Sequence, residues 1–158
     1  MTITSVAELV AAVGTDLPPT TWLTIDQERI NGFADITDDH QWIHVDPDQA
    51  ASGPFGGTIA HGFLVLSLLA PLFNEAIDPL DADSRINYGF DRVRFTAAVP
   101  VGSSIRARFH VSEILPRGPM LEVRLHVDVD VEGSERPAIV ADMIILLHPA
   151  SENVEVSA

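Results

Sequence analysis

The sequence predicts a single α+β domain in which one long central helix is wrapped by an antiparallel sheet. The stretch from Thr58 to Ile77 is apolar nearly all round, which is typical of a helix buried on most sides. From Arg85 onward the apolar period changes to two, which is typical of strands. The length of 158 residues fits one domain, over 1–158, and a hydrophobic content of 46% is enough to form a core.

The N-terminal part predicts short elements separated by turn residues. Apolar spacing predicts a helix over 5–13, and alternating β-branched residues predict a first strand over 20–25. Asp26 is expected to cap a second helix over 27–34, because its carboxylate can accept hydrogen bonds from free backbone N–H groups. A further short helix is expected to start at Pro47.

The C-terminal half predicts the sheet. Pro71 is expected to kink or end the central helix, because proline removes one backbone hydrogen bond. Long antiparallel strands follow, separated by turns that contain proline or glycine. These strands are predicted over 87–99, 104–115, 120–131 and 138–148. The acidic tail, 149–158, is expected to be frayed.

Charge and composition exclude several classes of function. Nine arginines oppose 23 acidic residues, and the net charge of −14 repels nucleic acid and anionic lipid, so neither is an expected partner. The lack of cysteine excludes disulfides, a thiolate nucleophile and a cysteine-ligated metal. No apolar run approaches the roughly 20 residues of a membrane span. No basic export signal is visible, so the expected location is cytoplasmic.

Most residues able to carry chemistry lie between Asp35 and Gly62. Asp39 and His44 would be splayed by about 140° on a regular helix, but in a turn-rich loop they can converge on one water molecule. A carboxylate and an imidazole that share a water can add it to an activated double bond, or remove it. Gly62 lies near the start of the central helix, where free backbone N–H groups can hold a developing oxyanion.

Two motifs together resemble the MaoC-like dehydratases. They are Asp-His-Gln-Trp-Ile-His-Val-Asp from Asp39 and Gly-Gly-Thr-Ile-Ala-His-Gly-Phe from Gly56. The pairing is similar to the (R)-specific enoyl-CoA hydratases of that family, and most similar to the nodulation-protein-N-like branch, over about 20–148. The resemblance implies a hotdog fold, with a curved antiparallel sheet around a long helix, and a homodimer. It also implies the reversible hydration of trans-2-enoyl-CoA to (R)-3-hydroxyacyl-CoA, a lyase reaction of fatty acid metabolism.

The resemblance also implies the roles of individual residues. Asp39 and His44 correspond to the catalytic acid/base pair, and the backbone N–H of Gly62 corresponds to the group that binds the thioester carbonyl oxygen. No cofactor is implied, because coenzyme A is part of the substrate. A serine that contributes to the site in some relatives is replaced here by Ala70, so we consider the nearby Ser67 as an alternative.

Further substrate contacts are expected around this pair. His61 is expected to support the helix start and to orient the loop beside the substrate. Trp42 is expected to pack against the catalytic loop, with substrate contact as an alternative. The acyl group is expected in a tunnel between the central helix and the sheet. The residues expected to line it are Phe63, Leu64, Leu66 and Ser67.

Arginines cluster on two predicted strands. Arg92 and Arg94 share one face of their strand, and Arg106 and Arg108 share one face of the next. One interpretation is a solvated face of ion pairs. The other is a site for the phosphates of coenzyme A, because arginine suits phosphate geometry, and it makes Arg92 and Arg94 candidate substrate-binding residues. The acidic chain favours a coenzyme A thioester over an acidic acyl carrier protein.

Several alternatives remain open at this stage. His40, His44, Asp39 and His61 have residue types that bind zinc, but the turn-rich context leaves their register open and the MaoC-like pattern uses no metal, so none is expected. A hotdog thioesterase, a non-catalytic acyl-thioester-binding module and a specialised dehydratase of a secondary pathway are alternative functions. Asp38 departs from many relatives, which have glycine at this position.

Overall fold

The computed structural model describes residues 2–79 and 81–150 and contains one antiparallel sheet of five strands in the order β1-β3-β4-β5-β2. The strands are β1 (Leu23–Thr24), β2 (Ala82–Phe95), β3 (Ser104–Arg117), β4 (Met120–Val131) and β5 (Ile139–Pro149). The helices are α1 (Val6–Ala11), α2 (Gln27–Thr37), α3 (Trp42–Val45), α4 (Pro47–Ala51), α5 (Gly62–Ser67) and α6 (Leu69–Ala76). The predicted acidic tail lies outside the described residues from 151 onward.

The predicted central helix is two shorter helices. It begins at Gly62 rather than Thr58, because the residues before it are extended and the Ala60 N–H donates to the Val99 carbonyl at 2.8 Å. The helix breaks at Leu68, between α5 and α6. Pro71 has no N–H to donate to the carbonyl four residues earlier, so the break falls before the proline rather than at it. In the described part of the chain, no helix is both long and apolar enough to cross a membrane.

The core lies between α5–α6 and one face of the sheet. Buried and partly exposed residues alternate along β4, which confirms the period of two that the sequence predicts. Phe109 of β3 is 1% exposed and meets Phe73 of α6 edge to face, with ring centroids 6.0 Å apart. This packing fixes the helical layer against the sheet and therefore the position of the α5 N-terminus.

The helices and strands outside the core begin or end at residues other than the predicted ones. Asp26 caps α2 by accepting from the Arg29 N–H at 2.8 Å, as predicted, but α2 continues to Thr37. The first strand is reduced to β1 because Thr20 bonds the edge of β3 irregularly, through both its N–H and its hydroxyl oxygen. The sequence did not indicate α3, a single turn of helix.

The two edges of the sheet are treated differently. The segment before β1 covers the outer edge of β3, where the N–H groups of Gly14, Leu17 and Thr20 donate to β3 carbonyls over 2.7–3.0 Å. At the other edge, within the described residues, β2 pairs only with β5. β2 has 14 residues and carries exposed apolar side chains such as Ile86 and Tyr88. A long apolar edge of this kind is a template for pairing with another strand.

The C-terminal end of β2 also differs from prediction. The predicted strand over 87–99 ends at Phe95, and its first residue is Ala82. After Phe95 the chain leaves the ladder, although the Thr96 N–H still donates to the Ala138 carbonyl at 2.9 Å. This departure lets residues 96–99 line a cavity beside α5.

Candidate active site

The turn that follows α2 places Asp39 beside α3. Asp38 ends α2 in the left-handed conformation, with φ of 58° and ψ of 19°. Glycine adopts this conformation without a steric penalty, and aspartate is among the few other residues that tolerate it. This backbone requirement accounts for the glycine that many relatives have here. The chain therefore changes direction at Asp38, and Asp39 and His44 do not lie on one continuous helix. For this reason their relative position differs from the one that helical spacing would give.

Asp38 gives a test of this backbone constraint. Replacing Asp38 with glycine is expected to raise the free energy of unfolding by about 1 kcal/mol, because the left-handed penalty of the side chain is removed. Urea unfolding followed by circular dichroism measures the change. The matched control is Asp35→Gly within α2, which should lower the free energy of unfolding because glycine is unfavourable inside a helix. Gly53→Ala is not a comparable change, because Gly53 has no positive φ and an added Cβ there would clash with Trp42.

His44 is buried and held in one tautomer. Its side chain lies on α3, it is 7% exposed, and its Nδ1 is 2.7 Å from the carbonyl oxygen of Ile59. Because a carbonyl only accepts, Nδ1 carries the proton and donates it. The other ring nitrogen, Nε2, is therefore left with a free lone pair and is suited to act as a base.

Gln27 supports the backbone of α3, and sequence reasoning missed it. Its Nε2 donates to the His44 carbonyl at 2.8 Å, and its Oε1 accepts from the Thr58 hydroxyl at 2.6 Å. The amide thus joins α2, α3 and the segment before α5. No pattern in the sequence indicates this contact, because Gln27 has an ordinary first-turn position on a helix.

His61 joins the same group. It is 2% exposed, and its Nε2 donates to the backbone carbonyl of Asp39 at 2.9 Å. Its ring stacks on that of His44, with centroids 3.8 Å apart and planes 27° apart. On another side it lies against Phe33, at 5.0 Å between centroids. These contacts join His61 to the loop, and its role in orienting the loop stays a prediction.

The surroundings of His44 favour its neutral form. Burial lowers the pKa of His44 below its ordinary value, and the nearby His61 lowers it further. The hydrogen bond to the Ile59 carbonyl and the carboxylate of Asp39 oppose this shift. The balance of these effects favours the neutral imidazole.

The lowered pKa of His44 predicts the pH dependence of a reaction that uses His44 as a base. Lowering the pH protonates Nε2 and removes the base, so kcat/KM should fall on the acidic side. Because the pKa of His44 is lowered, the midpoint of that fall should lie below about 6.5, the ordinary value for histidine. A kcat/KM profile from pH 4.5 to 8 measures it, and a midpoint above that value contradicts the role.

Asp39, His44 and His61 also form a potential set of metal ligands. One oxygen or nitrogen from each lies within 4.8 Å of the others. The two imidazoles are stacked, and the Nε2 of His61 is bonded to the Asp39 carbonyl, so it is not free to bind an ion. His40, the fourth residue considered, is at the surface and 2.9 Å from Asp35. The arrangement suits a shared water better than a zinc ion, and the expectation of a metal-free site stays a prediction.

A cavity of about 320 Å³ opens at His44 and Gly62. Most of its lining is apolar and comes from the α5 start and the segment after β2. The lining residues are His44, Phe55, Ile59, Ala60, Gly62, Val65, Phe95, Thr96, Ala97, Ala98, Val99, Ala138 and Ile139. A Cβ added to Gly62 would lie 2.9 Å from the Phe95 ring, so the ring occupies the space that any side chain would need. As the first residue of α5, Gly62 has a backbone N–H without a partner inside the helix.

The α5 residues of the predicted acyl tunnel do not line this cavity. The helix contributes Gly62 and Val65 to the cavity rather than Phe63, Leu64, Leu66 and Ser67. Phe63 is 68% exposed and contacts Phe95 at the surface, and the Ser67 hydroxyl donates to the Leu64 carbonyl at 2.7 Å. A helix that is apolar all round has no hydrophobic face to indicate which side meets the cavity.

The other predicted contacts lie away from the cavity. Trp42 packs against Gly53, where an added Cβ would come within 2.9 Å of its ring, as expected for a residue that holds the loop. Arg92 and Arg94 lie on the exposed face of β2, whereas Val93 between them packs against the core. Arg92 pairs with Asp142 at 3.2 Å. The sheet separates both arginines from the cavity.

Comparisons with known proteins agree with this fold and identify the family. The family described as "MaoC like domain" matches residues 8–132. The chain is 48% identical over 145 residues to 3-hydroxyacyl-thioester dehydratase Z of Mycobacterium tuberculosis, covering 91% of this chain and 96% of that protein. It is 44% identical over 146 residues to Nodulation protein N of Rhizobium leguminosarum bv. viciae, covering 90% and 91%.

A solved structure extends the comparison to the fold. R-hydratase PhaJ1 from Pseudomonas aeruginosa superposes with a TM-score of 0.72 at 23% identity, over 92% of this chain and 90% of that one. The curled five-stranded sheet with its helical layer is thus the predicted hotdog fold. The family match covers most of the chain and includes both motifs. The chain accordingly belongs to the MaoC-like family and is a hydro-lyase of the hydratase and dehydratase type.

Proposed function

We propose that this protein catalyses the reversible addition of water to a trans-2-enoyl-CoA, giving the (R)-3-hydroxyacyl-CoA. The observation that carries the proposal is the position of His44, which has a free Nε2, lines an apolar cavity and has a ring nitrogen within 4.8 Å of an Asp39 carboxylate oxygen. An unprotonated base, a second acid/base group and an apolar acyl site are what the hydration of an activated double bond requires. The name of the dehydratase from M. tuberculosis supports the thioester class of substrate.

Each group then has a defined role. Nε2 of His44 accepts a proton from a water held between it and Asp39, and the water oxygen forms a bond to C3. Electrons move from the double bond to the thioester oxygen, where the Gly62 N–H stabilises the enolate. The proton taken from water returns to C2 through the Asp39–His44 pair. Water is thus added across the double bond, and the reverse sequence removes it.

The reaction needs no cofactor beyond the substrate, because side chains and one backbone N–H supply all the steps. Coenzyme A is the proposed carrier, since a net charge of −14 opposes the docking of an acidic carrier protein. Cytoplasmic location stays a prediction.

We further propose a homodimer in which the β2 strands of two copies pair. β2 is the long open edge of the sheet, and its exposed apolar side chains include Ile86, Tyr88 and Phe95. Pairing would satisfy the open hydrogen-bonding edge and cover these side chains. Phe95 also lines the cavity, so the proposed interface reaches the entrance of the site.

The first experiment is a direct assay. Purified protein is mixed with crotonyl-CoA and with a longer trans-2-enoyl-CoA, and loss of enoyl absorbance is followed with chiral analysis of the product. Turnover to the (R)-3-hydroxy product supports the proposal. Release of free thiol would instead indicate a thioesterase, and binding without turnover would indicate an acyl-thioester-binding module. Absence of turnover on both substrates would contradict the assignment to general enoyl-CoA substrates.

A further inference from the structure

We propose that His61 is a positioning residue that holds both members of the pair, Asp39 through its backbone carbonyl and His44 through its ring. The residue makes no contact with reacting atoms in this proposal. The inference deepens the proposed function and rests on it for its kinetic consequences, although its contacts and its effect on His44 are measurable without substrate.

The first contact anchors Asp39. Asp39 is an exposed residue in the turn between α2 and α3, where its backbone has no regular helix or strand to hold it. The Nε2–H of His61 donates to its carbonyl at 2.9 Å. His61 itself is fixed, because it precedes the first residue of α5 and is 2% exposed. The hydrogen bond therefore ties the catalytic turn to the start of the central helical layer.

The second contact orients His44. The imidazole of His61 lies between the rings of His44, at 3.8 Å, and Phe33, at 5.0 Å. The stack restricts rotation of the His44 ring about its χ2 torsion. Together with the bond from Nδ1 to Ile59, it keeps Nε2 in one direction. One side chain thus fixes the two groups that must share a water.

The protonation of His44 follows from the same arrangement. The titratable groups that face it are Asp39, from the turn before α3, and His61, from the start of α5. The nearby Gln27 amide is neutral, and the cavity side is apolar. Removing the imidazole of His61 should therefore raise the pKa of His44, because a neighbour that opposes its proton is lost while Asp39 remains.

The tautomer of His61 leaves one of its ring nitrogens buried without a hydrogen-bond partner among the described residues. A carbonyl only accepts, so Nε2 carries the proton and Nδ1 is left with a lone pair. Nδ1 is buried and has no hydrogen-bond partner among the described residues. An unpaired buried nitrogen is destabilising, so a ring at this position is not optimised for stability alone. The contacts that His61 does make, from Nε2 to the Asp39 carbonyl and from its ring face to His44, are the ones that position the pair.

Two variants separate these contacts. His61→Phe keeps an aromatic ring against His44 but loses the donor to Asp39. His61→Gln keeps a donor, since the glutamine Nε2 is the same number of bonds from the backbone as the histidine Nε2, but loses the stack. His40→Phe and His40→Gln are matched controls, because His40 is an exposed histidine of the same turn, bonded to Asp35.

We expect His61→Phe to lower kcat for enoyl-thioester hydration by about 100-fold with KM changed less than about threefold, since misplacing a catalytic group affects the chemical step. His61→Gln should recover part of that loss. Histidine resonances followed by NMR should show a higher pKa for His44 in both variants, and unchanged values in the His40 controls. Circular dichroism establishes that each variant is folded, and His61→Gln carries the test if His61→Phe does not fold.

The proposal is overturned if folded His61 variants keep both the wild-type kcat and the wild-type pKa of His44. It is also overturned if the two variants lose activity only through KM, which would make His61 a substrate contact. The NMR titration needs no substrate. If the wild-type protein fails to hydrate enoyl thioesters while the pKa of His44 still rises in the variants, the proposed function fails and the positioning role stands.

Discussion

Replacing Asp39 with asparagine or His44 with alanine is expected to lower kcat for enoyl-thioester hydration by about 10²–10⁴-fold, the usual contribution of a positioned acid or base. His44→Ala removes the nitrogen that accepts the proton of water. Asp39→Asn keeps the size and the backbone contact to His61 but removes the carboxylate. Initial rates with saturating substrate measure both effects.

Two neighbouring residues serve as controls for this expectation. Asp35→Asn and His40→Ala change an exposed carboxylate and an exposed imidazole that bond each other, away from the cavity. Both should keep nearly wild-type kcat. Asp39→Asn with near-normal turnover would contradict the acid/base assignment, whereas loss of activity in the controls as well would point to damage to the turn rather than loss of chemistry.

Replacing Ile86 with lysine is expected to weaken the proposed dimer by at least about 100-fold, because symmetric pairing of β2 would bring two buried like charges into the interface. Ile86 is 47% exposed in the single chain, so the change should leave the fold of each copy intact. Sedimentation equilibrium over a concentration series measures the dissociation constant.

The matched control for this change is Val10→Lys. Val10 is 38% exposed on α1 and lies outside β2. It should leave the association unchanged. A wild-type chain that sediments as a monomer would contradict the dimer, and an unaffected dimer in Ile86→Lys would place its interface elsewhere.

Local patterns predicted much of the fold because their causes are local. Alternation along 104–115 and 120–131 indicates strands with one buried face, and both strands lie there, within two residues at each end. Asp26 acts as the helix cap that its carboxylate predicts. The errors occur where distant parts of the chain compete with local preference. The end of β2 and the extended residues before Gly62 depend on contacts with Ala138 and Val99, which are remote in sequence.

The candidate site shows the same division. The two motifs predict that Asp39, His44 and Gly62 lie near one another. In the structure His44 and Gly62 line one cavity, and ligand atoms of Asp39 and His44 lie within 4.8 Å of each other, while their catalytic roles stay a prediction. The choice between a solvated arginine face and a phosphate site was open in the sequence. In the structure, Arg92, Arg106 and Arg108 pair with aspartates on the exposed face of the sheet, opposite the helical layer.

The sequence by itself therefore determined the fold class, through the change of apolar period, and the family, through the resemblance of its two motifs. The roles of Asp39 and His44 as an acid/base pair stay a prediction from the same motifs. Only the tertiary structure decided which face of α5 meets the cavity, which nitrogen of His44 is free, and that His61 and Gln27 bond the backbone carbonyls of Asp39 and His44. Those properties depend on backbone carbonyls, ring stacking and side-chain contacts between segments remote in sequence, such as Thr58 and Gln27, which are 31 residues apart. Contacts of this kind leave no periodic signal in the chain, because each is made by a single side chain after the segments have packed.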